Sequence, residues 1–589
     1  MVLESQEILL TGTPICRGIA IGRPFFFTLV EYTVAEQTID PIDLDNEVSR
    51  YQKAIERARD DIKGLRRHLQ REKAYDGLAI LDAHLQMMQD PLMTTEVEIE
   101  IRRTQKNAEF VFQSIVNEYK KKFDSLVDPF FRERFKDIQD ISRRVLSYLH
   151  ESVRECLGNI PHDSIVFATD LTAFDTAEAN NLHIGAFVTR DGGATSHAAI
   201  VAKAKGIPYV SSVDLEDTEA YRDMWVIVDG RTGEIILNPS PRTMEKYQQL
   251  RSQLQIHLQR LKEGSKLEAE TYDGYRIRLS ANIETPGELD VLHQYGASGV
   301  GLLRTESAFL ANEVLPTEQE QFEIYRQFVE KMKGLPIVVR TFDFGGDKYW
   351  RNQQMPQEAN PFLGCRAIRY MLKEKSLFKI QLKAILRASA FGDVRVMFPM
   401  VSSLAELREA KELLKETQRE LIDQGIPVAE YIPIGCMIEV PSAAIIADLL
   451  AQECDFLSIG TNDLVQYALA VDRSNSALSH LYTTTHPSVI RLIKLVVSEA
   501  NYHGIPVSIC GEVAADPRFT PLLLGLGIHE LSVASRYLPV VKNAIRNISI
   551  VAASKMVEEA MKLSSAAEIE ALFTQEYFKN VPEDCFYNC

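Results

Sequence analysis

The chain has 589 residues, of which 46% are hydrophobic and 25% charged, and its formal net charge is −17. This length predicts several domains, because single cores rarely grow beyond about 300 residues, and the composition excludes a disordered chain. The acidic balance argues against nucleic acid or an anionic membrane surface as the main partner and favours a basic protein partner.

The cysteines and the first residues bear on the cellular compartment. The eight cysteines show no close pairs of the zinc-binding kind and are sparse for a disulfide scaffold. Residues 1–10 lack the basic region and apolar core of a secretory signal, and no apolar run is long enough to span a bilayer. We therefore expect a cytoplasmic protein that is not bound to a membrane.

The first part of the chain predicts an α/β domain that a helical module interrupts. Residues 8–28 predict a pair of short strands, whereas residues 43–149 carry apolar side chains at helical spacing. Further strands are predicted at 164–168, 185–189 and 209–213, with a hairpin at 225–237. The longest helical seam consists of Val48, Tyr51, Ile55, Ala58, Ile62, Leu65 and Leu69.

The second part of the chain has the rhythm of a (β/α)₈ barrel, in which eight strands alternate with helices. The fold class is therefore multidomain α/β. The predicted domains are an α/β domain (1–32 and 152–242), an inserted all-helical module (33–151), a helical linker (243–268) and the barrel (269–589). The eight predicted strands are 276–283, 299–304, 337–343, 394–400, 432–439, 455–460, 507–511 and 530–535.

Residues 192–200 read Gly-Gly-Ala-Thr-Ser-His-Ala-Ala-Ile. The glycines permit a sharp turn, and Thr195 and Ser196 favour a helix cap, so a helix should begin near His197. Backbone N–H groups and the helix dipole at that position favour an anion, and we hypothesise that His197 carries a phosphoryl group. The alternative is an ordinary turn and a capped helix that happens to start with a histidine.

Charged side chains collect where the barrel strands end, which is where barrel enzymes place their active sites. Arg304, Arg340, Arg473 and Lys348 could clamp a small phosphate- and carboxylate-bearing anion. The carboxylates of Glu439 and Asp463 suit Mg²⁺ or Mn²⁺, which complete their shell with substrate oxygens and water. The alternative is that Arg304 and Arg340 form rim ion pairs with Glu306 and Asp343.

Cys510 lies near the end of the seventh predicted strand. A thiol there could protonate an enolate carbon near neutral pH. The alternative is a buried cysteine that acts only as a small apolar side chain.

These motifs resemble those of a known family. The stretch 192–200 resembles the phosphohistidine signature of the phosphoenolpyruvate-utilising enzymes. Six barrel motifs, in order, are similar to those of the enzyme I family of the bacterial sugar phosphotransferase system. They are Gly-Leu-Leu-Arg-Thr-Glu (301–306), Arg-Thr-Phe-Asp-Phe-Gly-Gly-Asp-Lys (340–348), Asn-Pro-Phe-Leu-Gly-Cys-Arg-Ala-Ile-Arg (360–369), Met-Ile-Glu-Val-Pro (437–441), Gly-Thr-Asn-Asp-Leu-Val-Gln-Tyr (460–467) and Ser-Ile-Cys-Gly-Glu (508–512).

The resemblance implies the fold and the reaction. The α/β domain would be the swivelling phosphohistidine domain, and its motion about the 243–268 linker would carry His197 between partners. The inserted helices would bind the phosphocarrier protein HPr, and the barrel would bind phosphoenolpyruvate and form a homodimer.

It also implies roles for single residues. His197 would accept the phosphoryl group of phosphoenolpyruvate, which Arg304 and Arg340 hold, and would pass it to a histidine of HPr. The resemblance further assigns Arg473 and the Asn462 backbone to the rest of the substrate, Glu439 and Asp463 to Mg²⁺, and Cys510 to protonation of the pyruvate enolate.

Several positions depart from the family pattern. Ala194 and Lys203 stand where a basic residue and an arginine are usual, and Cys365 replaces an aromatic or aliphatic residue. Two alternatives to the phosphotransferase are a non-catalytic signalling module and a relative of phosphoenolpyruvate synthase or pyruvate phosphate dikinase. The second would need an ATP-binding domain, for which no segment remains. A stretch around His84, Leu85, Met87 and Met88 is our candidate for the partner surface, and a helix core is the alternative there.

Overall fold

The protein is described here from a computed structural model. The structure describes residues 7–27, 34–71, 77–124, 129–150, 157, 160–179, 183–193, 196–215, 221–306, 316–345, 360–473 and 475–581. The described chain divides into two compact units, and the boundary between them falls between Ile256 and His257. That boundary lies inside the predicted linker, while the four predicted domain limits themselves stay predictions.

The first unit is built on an eight-stranded sheet. Its strands are β1 (Ile8–Thr11), β2 (Thr13–Cys16), β3 (Ile19–Phe27), β4 (Ser164–Ala168), β5 (Ile184–Thr189), β6 (Tyr209–Ser211), β7 (Val226–Asp229) and β8 (Glu234–Leu237). They lie in the order β1-β8-β7-β3-β4-β5-β6-β2. The strands on both sides of the helical module therefore share one sheet, as the insertion hypothesis requires.

The start of the chain forms three strands, where the sequence predicts two. Gly18, at a φ of +142°, separates β2 from β3 in a conformation that other residues rarely adopt. β3 then pairs antiparallel with β7 through residues 19–22 and parallel with β4 through residues 23–27. One long strand thus joins the antiparallel and the parallel parts of the sheet.

In the described residues, five helices form the inserted module. They are α1 (Leu44–Arg71), α2 (Leu78–Met87), α3 (Thr95–Thr104), α4 (Ala108–Asp124) and α5 (Pro129–Leu149). The predicted seam of α1 is confirmed, because all its members are buried except Leu65, which is partly buried. The same apolar cluster includes Phe174 and Val201 of the α/β domain, so the module packs on that domain.

Three further helices complete the first part of the chain: α6 (Ala173–Glu178), α7 (His197–Lys205) and α8 (Pro241–Gly264). The first half of α8 packs on the sheet, where Tyr247 is buried beside Ile227 and donates its hydroxyl hydrogen to Glu234 at 3.0 Å. The boundary between the two units lies within α8, which is one continuous helix.

The second unit is a closed barrel of eight parallel strands, which confirms the predicted (β/α)₈ architecture. Every strand falls inside or against its predicted run. They are β9 (Arg278–Ile283), β10 (Val300–Arg304), β11 (Ile337–Arg340), β12 (Val394–Phe398), β13 (Ile434–Ile438), β14 (Phe456–Ile459), β15 (Val507–Ile509) and β16 (Glu530–Ala534).

Helices surround the barrel and cover its apolar outer surface. They are α9 (Leu289–Gln294), α10 (Glu318–Met332), α11 (Ile368–Lys373), α12 (Lys375–Ala388), α13 (Leu404–Asp423), α14 (Pro441–Ile445), α15 (Ala447–Ala451), α16 (Thr461–Leu469), α17 (Pro487–Tyr502), α18 (Thr520–Leu526), α19 (Leu538–Arg546), α20 (Ile550–Ala560) and α21 (Ala566–Asn580). Among the described residues, no helix of either unit combines the length and the apolar character needed to cross a bilayer.

Candidate active site

His197 is the first residue of α7, as the sequence predicts. Ser196 caps this helix, since its hydroxyl oxygen accepts the N–H of Ala199 at 3.2 Å. Gly192 has a φ of +114°, and a Cβ there would come within 3.0 Å of the Tyr209 hydroxyl, so the turn before the helix needs a glycine. The side chain of His197 is 29% exposed and can reach a reaction partner.

A carboxylate from the inserted module holds the His197 ring. The distance from His197 Nδ1 to Asp137 Oδ1 is 2.7 Å, and His84 Nε2 lies 3.0 Å from the same oxygen. Burial raises the pKa of Asp137, but hydrogen bonds from the two histidines outweigh burial and lower it to about 2. Asp137 is therefore ionised at neutral pH and acts only as an acceptor.

At the barrel rim, arginines and carboxylates form one buried network. Arg340, at the end of β11, bonds Glu306 and lies 3.4 Å from Asp343. Arg366 binds Asp343 through two hydrogen bonds of 2.8 and 2.9 Å, and its Nη1 lies 3.1 Å from Asp463 Oδ1. Arg340 thus forms the rim ion pairs that the alternative describes. It also lies in the predicted cluster of charged side chains at the strand ends.

Glu439 lies in the same network, directly after β13. Its Oε1 accepts the N–H of Met400 at 2.6 Å, and Met400 has a φ of +56°, a conformation that is rare for a side chain of this kind. Burial raises the pKa of Glu439, and the charges of Asp463 and Asp343 raise it further, to about 8. Glu439 and Asp463 could hold a divalent cation, because these hard oxygen ligands suit Mg²⁺ and its charge would relieve their repulsion.

Cys510 follows β15 and is buried. Ser458 donates its hydroxyl hydrogen to the thiol sulfur over 3.5 Å, and the thiol in turn lies 3.6 Å from the carbonyl oxygen of Ile459. Burial raises the pKa of Cys510, and the charge of Glu439 acts in the same direction. The thiol therefore keeps its proton near neutral pH, as a general acid must.

The other predicted site residues lie at the same rim or outside the described residues. Arg304 ends β10 and pairs with Glu284 at 2.8 Å, not with Glu306. The side-chain amide of Asn462 donates to Glu512 at 3.2 Å, while the exposed Arg473 donates its backbone N–H to Gln466. Lys348, like Ala194 and Thr195, lies outside the described residues.

Sequence reasoning missed three residues of these clusters. Arg366 lies inside the quoted motif 360–369, but this motif falls between two barrel strands and not at a strand end. The sequence suggests Asp343 only as a possible ion-pair partner, whereas in the structure it bridges two arginines, Arg340 and Arg366. Asp137 lies beside the apolar positions of α5 and belongs to no local motif, so only the fold reveals that it meets His197.

The candidate partner surface on α2 is partly wrong. His84 and Met88 are fully buried, so they belong to the helix core that the alternative describes. Leu85 and Met87 are only partly buried. The surface role of this stretch therefore rests on these two side chains and stays a prediction.

Comparison with known proteins agrees with this architecture. Residues 11–134, 160–233 and 259–550 match, respectively, the N-terminal, mobile and PEP-binding domains of the PEP-utilising enzymes. The fold and the site therefore define the chain as a PEP-utilising enzyme.

Two relatives narrow the family. The phosphoenolpyruvate-protein phosphotransferase of Staphylococcus carnosus is 37% identical over 96% of this chain and 98% of its own. The phosphoenolpyruvate-protein phosphotransferase of Bacillus subtilis is 38% identical over 97% of this chain and 100% of its own. The chain belongs to the family of phosphoenolpyruvate-protein phosphotransferases.

Proposed function

We propose that the protein moves the phosphoryl group of phosphoenolpyruvate to His197 and then to a histidine of the phosphocarrier protein HPr, with release of pyruvate. The observation that carries this proposal is the His197 imidazole, partly exposed at the capped start of α7 and held by a carboxylate. The names of the relatives and the buried charge network at the barrel rim support it.

The barrel residues divide the first half-reaction among them. Arg304 and Arg340, with Arg366, would balance the charge of the phosphoryl group, and Arg473, Lys348 and the Asn462 backbone would hold the rest of the substrate. The bond between phosphorus and the enol oxygen breaks as the bond to a His197 nitrogen forms. The thiol of Cys510 would then give its proton to the enolate carbon, which yields pyruvate.

We further propose that Glu439 and Asp463 bind Mg²⁺. When bound, the ion would neutralise charge on the phosphoryl and enolate oxygens. The raised pKa of Glu439 supports this assignment, because burial and the neighbouring carboxylates destabilise its anion until a cation compensates them.

The setting of the enzyme is proposed on the family resemblance. HPr would dock on the inserted helices, and the net charge of −17 favours a basic partner of that kind. We also propose that the protein works in the cytoplasm as a homodimer through its barrels, with the helix α8 as the hinge about which His197 reaches its two partners.

One labelling experiment tests the function. The full chain is incubated with Mg²⁺ and phosphoenolpyruvate labelled in the phosphoryl group, and we expect one acid-labile label, which is lost in His197→Ala. His150→Ala, an exposed histidine after α5, is the matched control and should label normally. Acid-stable label, or label that persists in His197→Ala, contradicts the proposal, and label that purified HPr cannot discharge contradicts its second half.

A further inference from the structure

Two histidines share one oxygen of one carboxylate. Asp137 Oδ1 lies 2.7 Å from His197 Nδ1 and 3.0 Å from His84 Nε2. The three residues come from α7, α5 and α2, and Asp137 lies 60 residues from His197 and 53 from His84. The inserted helical module therefore contributes directly to the surroundings of the reacting histidine.

The hydrogen bonds determine which ring nitrogens carry hydrogen. An ionised carboxylate only accepts, so both nitrogens that face Asp137 must be donors. His197 then carries its ring hydrogen on Nδ1, and the lone pair is on Nε2. Nε2 is therefore the nitrogen that can attack phosphorus.

His84 is held in one orientation by its burial. Its side chain is 0% exposed, its ring packs on Phe174 with the centroids 4.7 Å apart, and its Nδ1 has no hydrogen-bond partner in the described part of the chain. A second N–H at that nitrogen would bury an unsatisfied donor and a charge, which is costly. His84 therefore donates to Asp137 through Nε2 and keeps this carboxylate in place.

We propose that Asp137, held by His84, is a positioning residue that fixes His197 as the Nδ1–H tautomer and directs Nε2 to the phosphoryl group. The lone pair of Nε2 forms the new bond to phosphorus, the electron pair of the broken bond stays on the enolate oxygen, and Nδ1 keeps its hydrogen. The ring gains positive charge in this step, and the carboxylate of Asp137 stabilises it. This inference rests on the proposed function, in which His197 is the acceptor.

Asp137→Leu is the diagnostic substitution, because leucine has a similar size and removes the oxygen to which both histidines donate. Without that acceptor the ring hydrogen of His197 is no longer held on Nδ1, and a hydrogen on Nε2 blocks the attacking nitrogen. We expect transfer from phosphoenolpyruvate to His197 to slow by about 10² to 10⁴-fold. The substrate concentration for half-saturation should not change, because the barrel residues are intact.

The tautomer itself is read by ¹⁵N spectra of the full chain with labelled histidine. We expect the Nδ1–H signature for His197 in the parent protein and in Asp140→Leu, a matched control one turn along α5. We expect its loss in Asp137→Leu and its partial loss in His84→Gln, which keeps one donor to Asp137. Should Asp137→Leu fail to fold, His84→Gln still decides, because it leaves the carboxylate in place.

Three outcomes overturn the inference. They are an unchanged Nδ1–H signature in Asp137→Leu, a labelling rate of Asp137→Leu within threefold of the parent protein, and a signature that a chelator abolishes. The last outcome would mean that a bound metal ion and not the carboxylate holds the rings, which lie close enough for one. The spectra need no substrate, so failure of this inference and failure of the proposed function are separate results.

Discussion

Arg366 offers the sharpest test of the barrel network, because it is buried and binds two carboxylates. Its guanidinium donates to both oxygens of Asp343 at 2.8 and 2.9 Å, and to both oxygens of Asp463 at 3.1 and 3.3 Å. Arg366→Met keeps the length of the side chain and removes its charge. The two carboxylates are then left buried, near each other and near Glu439.

The expected cost follows from the loss of one partner of a buried ion pair. Such a loss costs about 3–5 kcal/mol, because the remaining charge stays buried without compensation. A change of this size should lower the melting temperature of the barrel unit by about 10 °C. Arg369→Met is the matched control: Arg369 is half-exposed and lies 3.7 Å from Glu406, and a pair of that kind contributes less than about 1 kcal/mol.

Calorimetry of the full chain in a chelating buffer measures both variants. We expect the barrel transition of Arg366→Met to show the deficit at pH 8. The deficit should shrink as the pH falls towards 5, because the unpaired carboxylates can then take up protons. A loss below about 1 kcal/mol at pH 8, or a deficit that grows on acidification, would refute the network as we describe it.

Four further predictions concern three titrating groups. Cys510→Ser should slow pyruvate formation by about 10²-fold or more in a quench assay, because serine is a far weaker acid; a parental rate would rule out the thiol as the proton donor. Glu439→Gln should raise the melting temperature in chelator at pH 8. The pKa of Glu439 is raised to about 8, so its contribution to the free energy of unfolding is most favourable below about pH 4. This contribution becomes unfavourable as the pH rises to 8, and the glutamine variant removes it. The same variant should lose the Mg²⁺-induced rise in melting temperature, and a retained rise would place the cation elsewhere. The pKa of Asp137 is lowered from 3.8 to about 2, so its carboxylate contributes about 2 kcal/mol to the free energy of unfolding above pH 4, and this is lost between pH 4 and 2. In acid unfolding, the stability of Asp137→Asn should therefore depend less on pH between 4 and 2. An unchanged pH dependence there contradicts the low pKa.

The barrel can be predicted because each of its strands and helices has a recognisable local sequence pattern. All eight runs contain or border an observed strand, since parallel strands buried on both faces read as continuous apolar runs. The strand ends are local features too, so Arg340, Glu439 and Cys510 could be selected from the sequence by position alone. The sequence predicts two N-terminal strands and the chain forms three, because β2 and β3 are separated by only a two-residue turn at Gly18.

The partners of these residues could not be predicted in the same way. Arg304 pairs with Glu284, which directly follows the preceding strand, and Arg340 pairs with Glu306, because the barrel's closure sets which side chains face each other. Sequence distance carries no such information: Arg366 and Asp463 are 97 residues apart and still hydrogen-bonded. A charged residue between strands, as Arg366 is, gives no sign of whether it faces solvent or the rim.

The position of the His197 ring and the choice of its attacking nitrogen depend on different parts of the chain. The cap at Ser196 and the turn at Gly192 place the imidazole at the start of α7, and this much is encoded within a few residues. The choice of the attacking nitrogen depends instead on Asp137, which belongs to the inserted helices. Docking a partner would not require a buried carboxylate of the helical module next to the His197 ring. The insertion of this module into the α/β domain therefore also has a chemical consequence.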